Sequence, residues 1–330
     1  MIRVAINGFG RIGRMVFRAG CNDSNIEFVA VNDLTDTKTL AHLLKYDSAH
    51  GKFEGTISYD SEGLIINGKK LLVLSEKEPK NLPWKKLNID IVVESTGRFT
   101  KVEECKVHID AGAKKLLLSA PGKGEIVTLV KGVNEHLYNG EIYVSNASCT
   151  TNCLAPLVKV LDDNFGIERG FMTTVHSYTA DQRLVDGPHQ DLRRARSAAA
   201  NIIPTTTGAA STVGEVIKHL KGKLDGIAIR VPVQDGSVTD FVCVIKKDAT
   251  KEQINELFKN VANNELKGVL EYSEEPLVSS DIVGNPHSSI FDAQSTNVID
   301  KRLVKVISWY DNEWGYSNRM IDLIHIMMDK

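Results

Sequence analysis

The sequence predicts an α/β protein of two domains, the first built on a parallel sheet and the second an α+β domain with a mostly antiparallel sheet. Three observations support this fold class. The 330 residues are enough for two hydrophobic cores. In the first half, short apolar runs alternate with segments of helical period, as in parallel strands joined by crossover helices. From Arg169 onward, the strand-like runs lengthen, which favours antiparallel pairing.

The composition argues against several classes of function. Apolar residues make up 42% of the chain and the formal net charge is -2, so there is no general attraction to nucleic acid or to an anionic membrane. The five cysteines are dispersed without metal-site or CxxC spacing, which predicts no metal and a reducing compartment. No apolar run approaches membrane-spanning length, and the chain opens on a strand pattern. We therefore expect a cytoplasmic protein with no membrane partner and no obligatory nucleic-acid partner.

A glycine motif follows the first predicted strand. Residues 2–7 form an apolar run, and residues 8–13 read GFGRIG before a segment of helical spacing. In this context Gly8 permits a tight turn, and Gly10 lets the backbone approach a pyrophosphate. Gly13 permits close packing of the helix on the strand. The motif in its strand–turn–helix setting predicts a dinucleotide-binding Rossmann domain.

An acidic residue follows the second predicted strand. The apolar run 28–31 ends at Asn32 and Asp33, twenty residues beyond Gly13. At this position a carboxylate accepts hydrogen bonds from the adenine ribose hydroxyls of NAD, and it repels the additional phosphate of NADP. A glycine-rich turn alone would not place an acid here, so the complete pattern predicts NAD as the cofactor.

The other patterns of the first half place loops at one edge of the sheet. Residues 39–46 have a helical pattern, and residues 51–74 alternate like antiparallel strands with a turn at Asn67 and Gly68. Each later strand ends in small polar residues or glycine, and ligands bind at the carboxyl edge of open parallel sheets. These later buried strands are predicted at 89–93, 116–118 and 142–144.

A cysteine lies where the last of these strands gives way to a helix. Residues 145–153 read SNASCTTNC and lead into an apolar helical pattern. The small residues before Cys149 are typical of a turn and a helix cap, and Thr150 and Thr151 are not typical of a core. A thiol at a helix N-terminus faces unpaired N–H groups, which lowers its pKa and makes it a nucleophile. Cys153 is expected to be a buried spectator, as most free cysteines are.

A histidine in the second half suits this thiol. His176 ends the strand-like run 172–177 and can act as the base for Cys149. A histidine considered alone is more often a hydrogen-bonded core residue. Its pairing with Cys149 favours a catalytic role.

The second half also contains an irregular segment. Residues 177–204 have no convincing period, and such a loop inside a compact domain is usually functional or part of an interface. Strands are predicted at 170–175, 225–233, 239–246 and 302–310, and a helix at 251–263. The predicted domains are 1–148 for NAD, 149–313 for catalysis, and 314–330 as a C-terminal helix that packs back on the first domain.

Three long motifs are rarely met together in other proteins. They are AINGFGRIGR at 5–14, SNASCTTNC at 145–153 and WYDNEWGY at 309–316. Through them the chain resembles, over its whole length, the phosphorylating glyceraldehyde-3-phosphate dehydrogenases. The resemblance implies a homotetramer that uses NAD and inorganic phosphate to convert D-glyceraldehyde 3-phosphate into 1,3-bisphosphoglycerate. Cys149 would attack the aldehyde carbon and His176 would act as the base.

The resemblance also implies binding residues. Besides Asp33 and the glycines, those for NAD are Arg11, Ile12, Lys77, Thr96, Ser119 and Asn312, the last at the nicotinamide carboxamide. Those for the substrate's own phosphate are Thr179 and Arg230, and those for the attacking phosphate are Ser148, Thr150, Arg194, Thr207 and Gly208. Hydroxyls, N–H groups at a helix start and forked guanidinium groups all suit a phosphate. Arg193 and Arg196, which flank Arg194, are expected to be solvated or at a subunit contact.

Several alternatives stay open from the sequence. An erythrose-4-phosphate dehydrogenase or an NADP-linked enzyme would share this scaffold, although Asp33 disfavours NADP. A non-catalytic NAD-binding sensor is the alternative from another class, and the pair of Cys149 and His176 favours turnover instead. Ala180 stands where some relatives carry an asparagine, so one polar contact near the nicotinamide is absent from the implied set.

Overall fold

Two units pack separately in the computed structural model, which describes residues 1–329. Unit 1 consists of Met1–Leu129, Leu137–Ala147 and the residues from Ser317 onward, and unit 2 consists of Val130–His136 and Ser148–Tyr316. Among residues 1–329, no helix has both the length and the apolar character needed to cross a lipid bilayer.

Unit 1 is built on a largely parallel sheet, as predicted. Its strands are β1 (Ile2–Asn7), β2 (Ile26–Asn32), β3 (Ile57–Tyr59), β4 (Gly63–Ile66), β5 (Lys69–Leu74), β6 (Ile91–Glu94), β7 (Lys115–Leu118), β8 (Val127–Thr128) and β9 (Tyr143–Ser145). Its helices are α1 (Arg11–Gly20), α2 (Thr37–Lys45) and α3 (Val102–Asp110), with a 3₁₀ turn at Pro79–Asn81. In the described chain the strand order is β3-β4-β5-β2-β1-β6-β7-β9-β8, and only β3, β4 and β5 form antiparallel pairs.

The central strands of this sheet bring polar side chains to one edge. In β1 the last residue, Asn7, pairs with Asn32 of β2 on one side and with Glu94 of β6 on the other. The three side chains are buried and hydrogen-bonded, with 2.8 Å from Asn32 Nδ2 to Asn7 Oδ1 and 2.6 Å from Asn7 Nδ2 to Glu94 Oε2. The predicted hairpin turn is also confirmed, since Asn67 and Gly68 both adopt positive φ, at 51° and 78°, between β4 and β5.

Unit 2 is built on a mostly antiparallel sheet. Its strands are β10 (Ile167–Ser177), β11 (Ile203–Thr206), β12 (Leu224–Val231), β13 (Ser237–Ile245), β14 (Leu270–Ser273), β15 (Ser289–Ile299) and β16 (Leu303–Tyr310). Its helices are α4 (Cys149–Phe165), α5 (Ala209–Val216) and α6 (Lys251–Asn263), with 3₁₀ turns at Lys218–Leu220 and Ser279–Ile282. Over the described residues the strand order is β11-β12-β10-β13-β16-β15-β14, in which β10/β12 and β14/β15 are parallel pairs.

Helix α4 covers one face of this second sheet. It packs against β10, β13, β15 and β16, and its side chains from Thr150 to Val158 are all buried. The expectation that Thr150 and Thr151 lie outside the core is therefore wrong. Both hydroxyls have side-chain partners, Tyr310 for Thr150 and Ser148 for Thr151, so threonine is tolerated in this buried turn.

The last helix, α7 (Trp314–Met328), begins in unit 2 and contributes its residues from Ser317 onward to unit 1. Within unit 1, His325 Nε2 lies 2.7 Å from Asp23 Oδ2. A Cβ placed on Gly20 would lie 2.6 Å from the Ile321 side chain, so the end of α1 and the helix α7 are in close contact there. This contact needs glycine at position 20 unless Ile321 moves.

Candidate active site

A pocket of about 320 Å³ lies at the carboxyl edge of the unit 1 sheet. Its walls include five of the predicted NAD residues, namely Gly8, Gly10, Asp33, Lys77 and Thr96. They come from the loops after β1, β2, β5 and β6, which are strands with parallel partners. The crevice beyond such strand ends is the usual ligand site of an open α/β sheet.

Each of the three motif positions suits glycine for a different physical reason. Gly8 adopts φ +93°, and a Cβ there would lie 2.7 Å from the Thr96 nitrogen; a Cβ on Gly13 would collide with the Gly8 carbonyl oxygen. By contrast, a Cβ on Gly10 would meet no atom of residues 1–329 within 4 Å, so the space beside it belongs to the pocket. Helix α1 starts at the next residue, and a helix N-terminus attracts phosphate. This cradle fits the pyrophosphate of NAD.

The carboxylate of Asp33 is held by the backbone around it. Its Oδ2 accepts the Phe9 N–H at 2.9 Å, and its Oδ1 accepts the Thr35 N–H at 2.9 Å. Each carboxylate oxygen keeps capacity for another donor. Asp33 can therefore receive two ribose hydroxyls while the glycine loop fixes its direction.

A buried polar network that the sequence did not reveal lies beneath this pocket. The carboxylate of Glu94 is fully buried and accepts the Thr96 N–H at 2.8 Å, with His108 Nε2 at 3.2 Å. Trp84 Nε1 donates to His108 Nδ1 at 3.1 Å. Because an indole N–H is only a donor, Nδ1 must accept, so Nε2 carries the hydrogen that faces Glu94. The network holds Thr96 in the pocket wall, and no motif signals His108 within α3.

The other predicted NAD residues of unit 1 lie outside the pocket wall. Ile12 is half-buried in the first turn of α1, and the Ser119 N–H donates to the Glu94 carbonyl at 3.0 Å. Arg11 pairs with Asp47, at 2.9 Å between Nη1 and Oδ2. Burial alone would raise the pKa of Asp47, but the backbone N–H of His50 and the Arg11 guanidinium outweigh it and lower that pKa to about 2. The cation of Arg11 is thus already paired.

In unit 2, Cys149 is the first residue of α4. Ser148 caps the helix, since its Oγ accepts the Thr151 N–H at 3.1 Å. Ala147 immediately before the cap adopts φ 54°, which is uncommon for a residue other than glycine and turns the chain sharply into the helix. The predicted cap and turn are confirmed, and they fix the position of the Cys149 side chain at the start of the helix.

His176 lies opposite this thiol. Cys149 Sγ is 3.4 Å from His176 Nε2, and His176 Nδ1 lies 2.7 Å from the Ser177 carbonyl oxygen. A carbonyl can only accept, so Nδ1 carries the hydrogen and Nε2 presents its lone pair to the thiol. His176 is 4% exposed, whereas Cys149 remains partly exposed. This is the geometry of a nucleophile with its general base.

Burial dominates the electrostatics of the pair. It raises the pKa of the Cys149 thiol to about 11, although Arg230 and the backbone N–H of Thr150 act to lower it. Burial also lowers the pKa of His176 to about 3; Arg230 and Arg194 act in the same direction, while the Ser177 carbonyl and Glu313 oppose it. The expectation of a lowered thiol pKa is therefore wrong for this chain's own groups. His176 Nε2 lies in position to take the thiol proton when the thiolate forms.

Arg230 lies beside Cys149 and His176. It is in register with His176 across the parallel pair β10/β12, and its Nη1 donates to Thr179 Oγ1 at 3.1 Å. Its Nε is buried and has no hydrogen-bond partner among residues 1–329. Burial lowers the pKa of this guanidinium, as expected for a cation removed from water. A buried guanidinium N–H without a partner, next to a threonine hydroxyl, suits the binding of an anion such as a phosphate.

Among the three neighbouring arginines, Arg194 is the one whose charge acts on His176. It donates to Asp181 at 2.6 Å and to the Thr206 carbonyl at 3.1 Å, which joins it to the strand before α5. Arg193 instead donates to the Pro204 carbonyl at 3.4 Å, and Arg196 pairs with Asp186 at 2.9 Å.

The start of α5 brings two further predicted residues together. Thr207 Oγ1 accepts the Ala209 N–H at 3.2 Å, and Gly208 is the N-cap of the helix. Among residues 1–329, the nearest atom to a Cβ on Gly208 would be Ser211 Oγ at 3.9 Å, so the backbone there is open to a ligand. Arg194 reaches the same strand end through Thr206.

Two other predicted residues have firm internal partners. The amide oxygen of Asn312 accepts the hydroxyls of Ser177 and Ser237, at 2.8 and 2.7 Å, which leaves its NH₂ group as the donor on the other side. The hydroxyl of Thr150 lies 2.9 Å from that of Tyr310. Sequence reasoning missed the roles of Ser177 and Tyr310, although each lies in a segment that it had singled out.

Comparison with known proteins agrees with this geometry. The family "Glyceraldehyde 3-phosphate dehydrogenase, NAD binding domain" matches residues 2–102, and "Glyceraldehyde 3-phosphate dehydrogenase, C-terminal domain" matches residues 148–312. The chain is 57% identical to a glyceraldehyde-3-phosphate dehydrogenase of Geobacillus stearothermophilus, over 100% of this chain and 99% of the relative. It is 56% identical to glyceraldehyde-3-phosphate dehydrogenase 2 of Bacillus subtilis, over 98% and 96%. These matches confirm the predicted fold class and NAD as the cofactor. The chain belongs to the glyceraldehyde-3-phosphate dehydrogenase family and is an NAD-dependent dehydrogenase.

Proposed function

We propose that this chain oxidises D-glyceraldehyde 3-phosphate, with NAD and inorganic phosphate, to 1,3-bisphosphoglycerate through a thioester on Cys149. The observation that carries the proposal is the 3.4 Å approach of Cys149 Sγ to a His176 Nε2 whose other ring nitrogen is already committed to Ser177. The unpaired Nε of Arg230 supports an anionic substrate beside this pair.

His176 moves the protons in this mechanism. Its Nε2 takes the thiol proton as Cys149 Sγ attacks the aldehyde carbon, and the resulting Nε2–H protonates the oxyanion to a hemithioacetal hydroxyl. The backbone N–H of Cys149, at the start of α4, stabilises the developing oxyanion. NAD, when bound, would supply the hydride acceptor for that carbon. His176 takes the hydroxyl proton, phosphate then attacks the thioester, and the departing sulfur recovers its proton from Nε2.

Two groups of side chains hold the two phosphates in this proposal. Thr179 and Arg230 hold the phosphate of the substrate. The attacking phosphate is held by Ser148, Thr150, Arg194, Thr207 and Gly208. The open backbone at Gly208 and the guanidinium of Arg194 favour the second group, while the hydroxyls of Ser148 and Thr150 also serve the helix cap and Tyr310.

The NAD residues proposed in unit 1 are Gly8, Gly10, Arg11, Ile12, Gly13, Asp33, Lys77, Thr96 and Ser119. The residue proposed in unit 2 is Asn312. The open space at Gly10 and the held carboxylate of Asp33 support the first part of the set. The oxygen of Asn312 is occupied by two hydroxyls, so its NH₂ group is the part that suits the carboxamide oxygen of a nicotinamide.

We further propose a cytoplasmic homotetramer whose functional parts are residues 1–148 for NAD, 149–313 for catalysis and 314–330 as a C-terminal helix. Exposed apolar side chains of unit 2 suit subunit contacts; they include Phe171, Leu184, Val185, Leu192 and Ile202. All five cysteines of the described chain are free thiols, which suits a reducing compartment. The contacts of α7 with Asp23 and Gly20 support the assignment of residues 314–330 as a C-terminal helix.

The test follows NADH formation by the purified protein with NAD and glyceraldehyde 3-phosphate, with and without inorganic phosphate. We expect sustained NADH formation only when phosphate is present, because the thioester otherwise persists on Cys149. Erythrose 4-phosphate and NADP serve as control substrate and control cofactor. Faster turnover with erythrose 4-phosphate, or turnover without phosphate, would contradict the proposal.

Replacing Asp33 by alanine is expected to raise the ratio of kcat/KM for NADP to that for NAD roughly tenfold or more, since removal of the carboxylate removes a like-charge repulsion. Steady-state kinetics with each cofactor measures the ratio. Asp60→Ala is the matched control, because Asp60 is an acid of unit 1 that lies outside the pocket wall. An unchanged ratio in Asp33→Ala would show that this carboxylate does not select the cofactor.

Replacing Arg194 by leucine is expected to lower kcat/KM for inorganic phosphate by about 10- to 100-fold, the usual worth of a charge-assisted hydrogen bond. Arg196→Leu is the matched control from the same loop, with Asp186 as its partner. Phosphate titrations at saturating NAD and aldehyde give both values, and size-exclusion chromatography checks that assembly is equal. If Arg196→Leu has the larger effect on phosphate, the assignment of Arg194 is wrong.

A further inference from the structure

Tyr310, the last residue of β16, places its hydroxyl between two threonines next to the catalytic residues. The Tyr310 Oη lies 2.9 Å from Thr150 Oγ1 and 2.8 Å from Thr174 Oγ1. Thr150 follows Cys149 in the chain, and Thr174 precedes His176 by two residues on the same strand. The tyrosine is 1% exposed, so its hydroxyl has left water and depends on these partners.

The strand register explains this arrangement. In β13, Val238 pairs with Val175 of β10 on one side and with Trp309 of β16 on the other. The neighbouring residues of the outer strands, His176 and Tyr310, are therefore level with each other across β13. Their rings meet edge to face, with centroids 5.9 Å apart and planes at 73°. Tyr310 thus contacts the base through its ring and the helix of the nucleophile through its hydroxyl.

The direction of each hydrogen bond follows from one fixed acceptor. Thr174 Oγ1 lies 3.3 Å from the Val238 carbonyl oxygen, which can only accept, so the Thr174 hydroxyl donates its hydrogen bond to that oxygen. Thr174 must then accept from Tyr310. Because the Tyr310 hydroxyl donates to Thr174, it must accept its second hydrogen bond from Thr150. One ordered chain of hydroxyls therefore runs from α4 to β13 and fixes the rotamer of each member.

We propose that Tyr310 is a positioning residue that holds Cys149 and His176 at their working distance. It ties the first turn of α4 to the strand that carries the base, while its ring limits rotation of the imidazole. The inference rests on the proposed function, because the pair that it positions is the one assigned there to thioester chemistry. The proposed role of Tyr310 is exerted through Cys149 and His176 and requires no contact with the substrate.

The groups around the pair make the position of Thr150 important. The charged or titratable groups that act on Cys149 and His176 are Arg230 from β12, Arg194 from the loop before β11, and Glu313 after β16; Cys153 of α4 acts on Tyr310. The backbone N–H of Thr150 acts to lower the pKa of the thiol. If Thr150 becomes mobile, the thiolate loses this support.

The test compares Tyr310→Phe, which keeps the ring, with Tyr138→Phe as a matched control. Tyr138 is equally buried, at 1% exposure, and its hydroxyl donates to the Glu141 carbonyl at 3.1 Å in unit 1. We measure kcat, the KM for NAD, and the rate at which iodoacetamide alkylates Cys149 across a pH series, with peptide mapping by mass spectrometry. Alkylation requires no turnover, so this readout stays valid even if the proposed substrate is wrong.

In Tyr310→Phe we expect kcat and the alkylation rate at neutral pH to fall about tenfold, with the alkylation profile moved to higher pH and the KM for NAD unchanged. Tyr138→Phe should alter neither the profile nor kcat. Thr174→Val removes the same chain of hydroxyls from the other end, and it carries the test if Tyr310→Phe does not fold. An alkylation profile identical to that of the unsubstituted protein in a folded variant would overturn the proposal, whereas failure of unsubstituted protein to form NADH would overturn the proposed function instead.

Discussion

Replacing Cys149 by serine is expected to abolish phosphate-dependent NADH formation, with a fall in kcat of about 10⁴-fold or more, because the covalent step loses its nucleophile. A serine hydroxyl ionises far less readily than a thiol, and the burial that raises the pKa of Cys149 would oppose a serine anion still more strongly. The affinity for NAD should not change, since the cofactor pocket described in unit 1 does not include this residue. Initial rates and calorimetric NAD titration measure the two properties.

Cys153→Ser is the control for this substitution. Cys153 lies one turn later in the same helix, is fully buried, and has its Sγ 3.7 Å from Ser289 Oγ. Burial raises its pKa to about 11, which agrees with its expected role as a spectator. A serine at position 153 should keep most of the activity. If Cys149→Ser still turned over substrate at more than a trace level, the thioester route would be refuted.

Replacing His176 by asparagine is expected to lower kcat by about 10²- to 10⁴-fold, the usual contribution of a general base. The amide cannot take up the thiol proton, so the reaction would depend on the small fraction of thiol that ionises into water. The pKa of this thiol is raised to about 11. At pH values below the pKa, the thiolate fraction therefore increases roughly tenfold for each unit by which the pH is raised. Residual activity of the variant should climb with pH at this slope.

The pH–rate profile over the stable range measures this slope, and His219→Asn is the control. His219 is an exposed histidine of unit 2, and its Nε2 lies 2.5 Å from Asp162 Oδ2. The control should reproduce both the rate and the pH profile of the unsubstituted protein. A His176→Asn variant with an unaltered profile would mean that another group deprotonates Cys149.

Much of the fold could be predicted because local patterns and packing agree. The glycine motif signals its turn, because Gly8 adopts φ +93° and a Cβ on Gly13 would collide with the Gly8 carbonyl oxygen, and α6 was predicted at the observed residues 251–263. Strand β15 was not predicted. Its sequence, SIFDAQSTNVI, is rich in small polar residues, and its pairing with β16 shifts register between Asp292 and Asn297. Such a strand is specified by its neighbours more than by its own propensity.

The candidate site was predictable only where a motif shows its chemistry locally. Cys149 and His176 belong to such segments. Glu94 of β6 and His108 of α3 are in contact in the structure, but no sequence pattern predicts that contact. The pKa of Cys149 was mispredicted for a similar reason. A helix N-terminus can be seen in sequence, but the depth at which the helix is packed cannot, and here burial outweighs the N–H groups.

The placement of Cys149 on α4 links chemical reactivity to folding. The helix that begins with the nucleophile continues into Leu154, Leu157 and Leu161, all completely buried. Its base arrives 27 residues later, from a strand that needs this helix as its cover. A nascent or damaged chain therefore carries this thiol without the base that faces it in the folded unit. The pairing on which the proposed chemistry depends exists only once the second unit has folded.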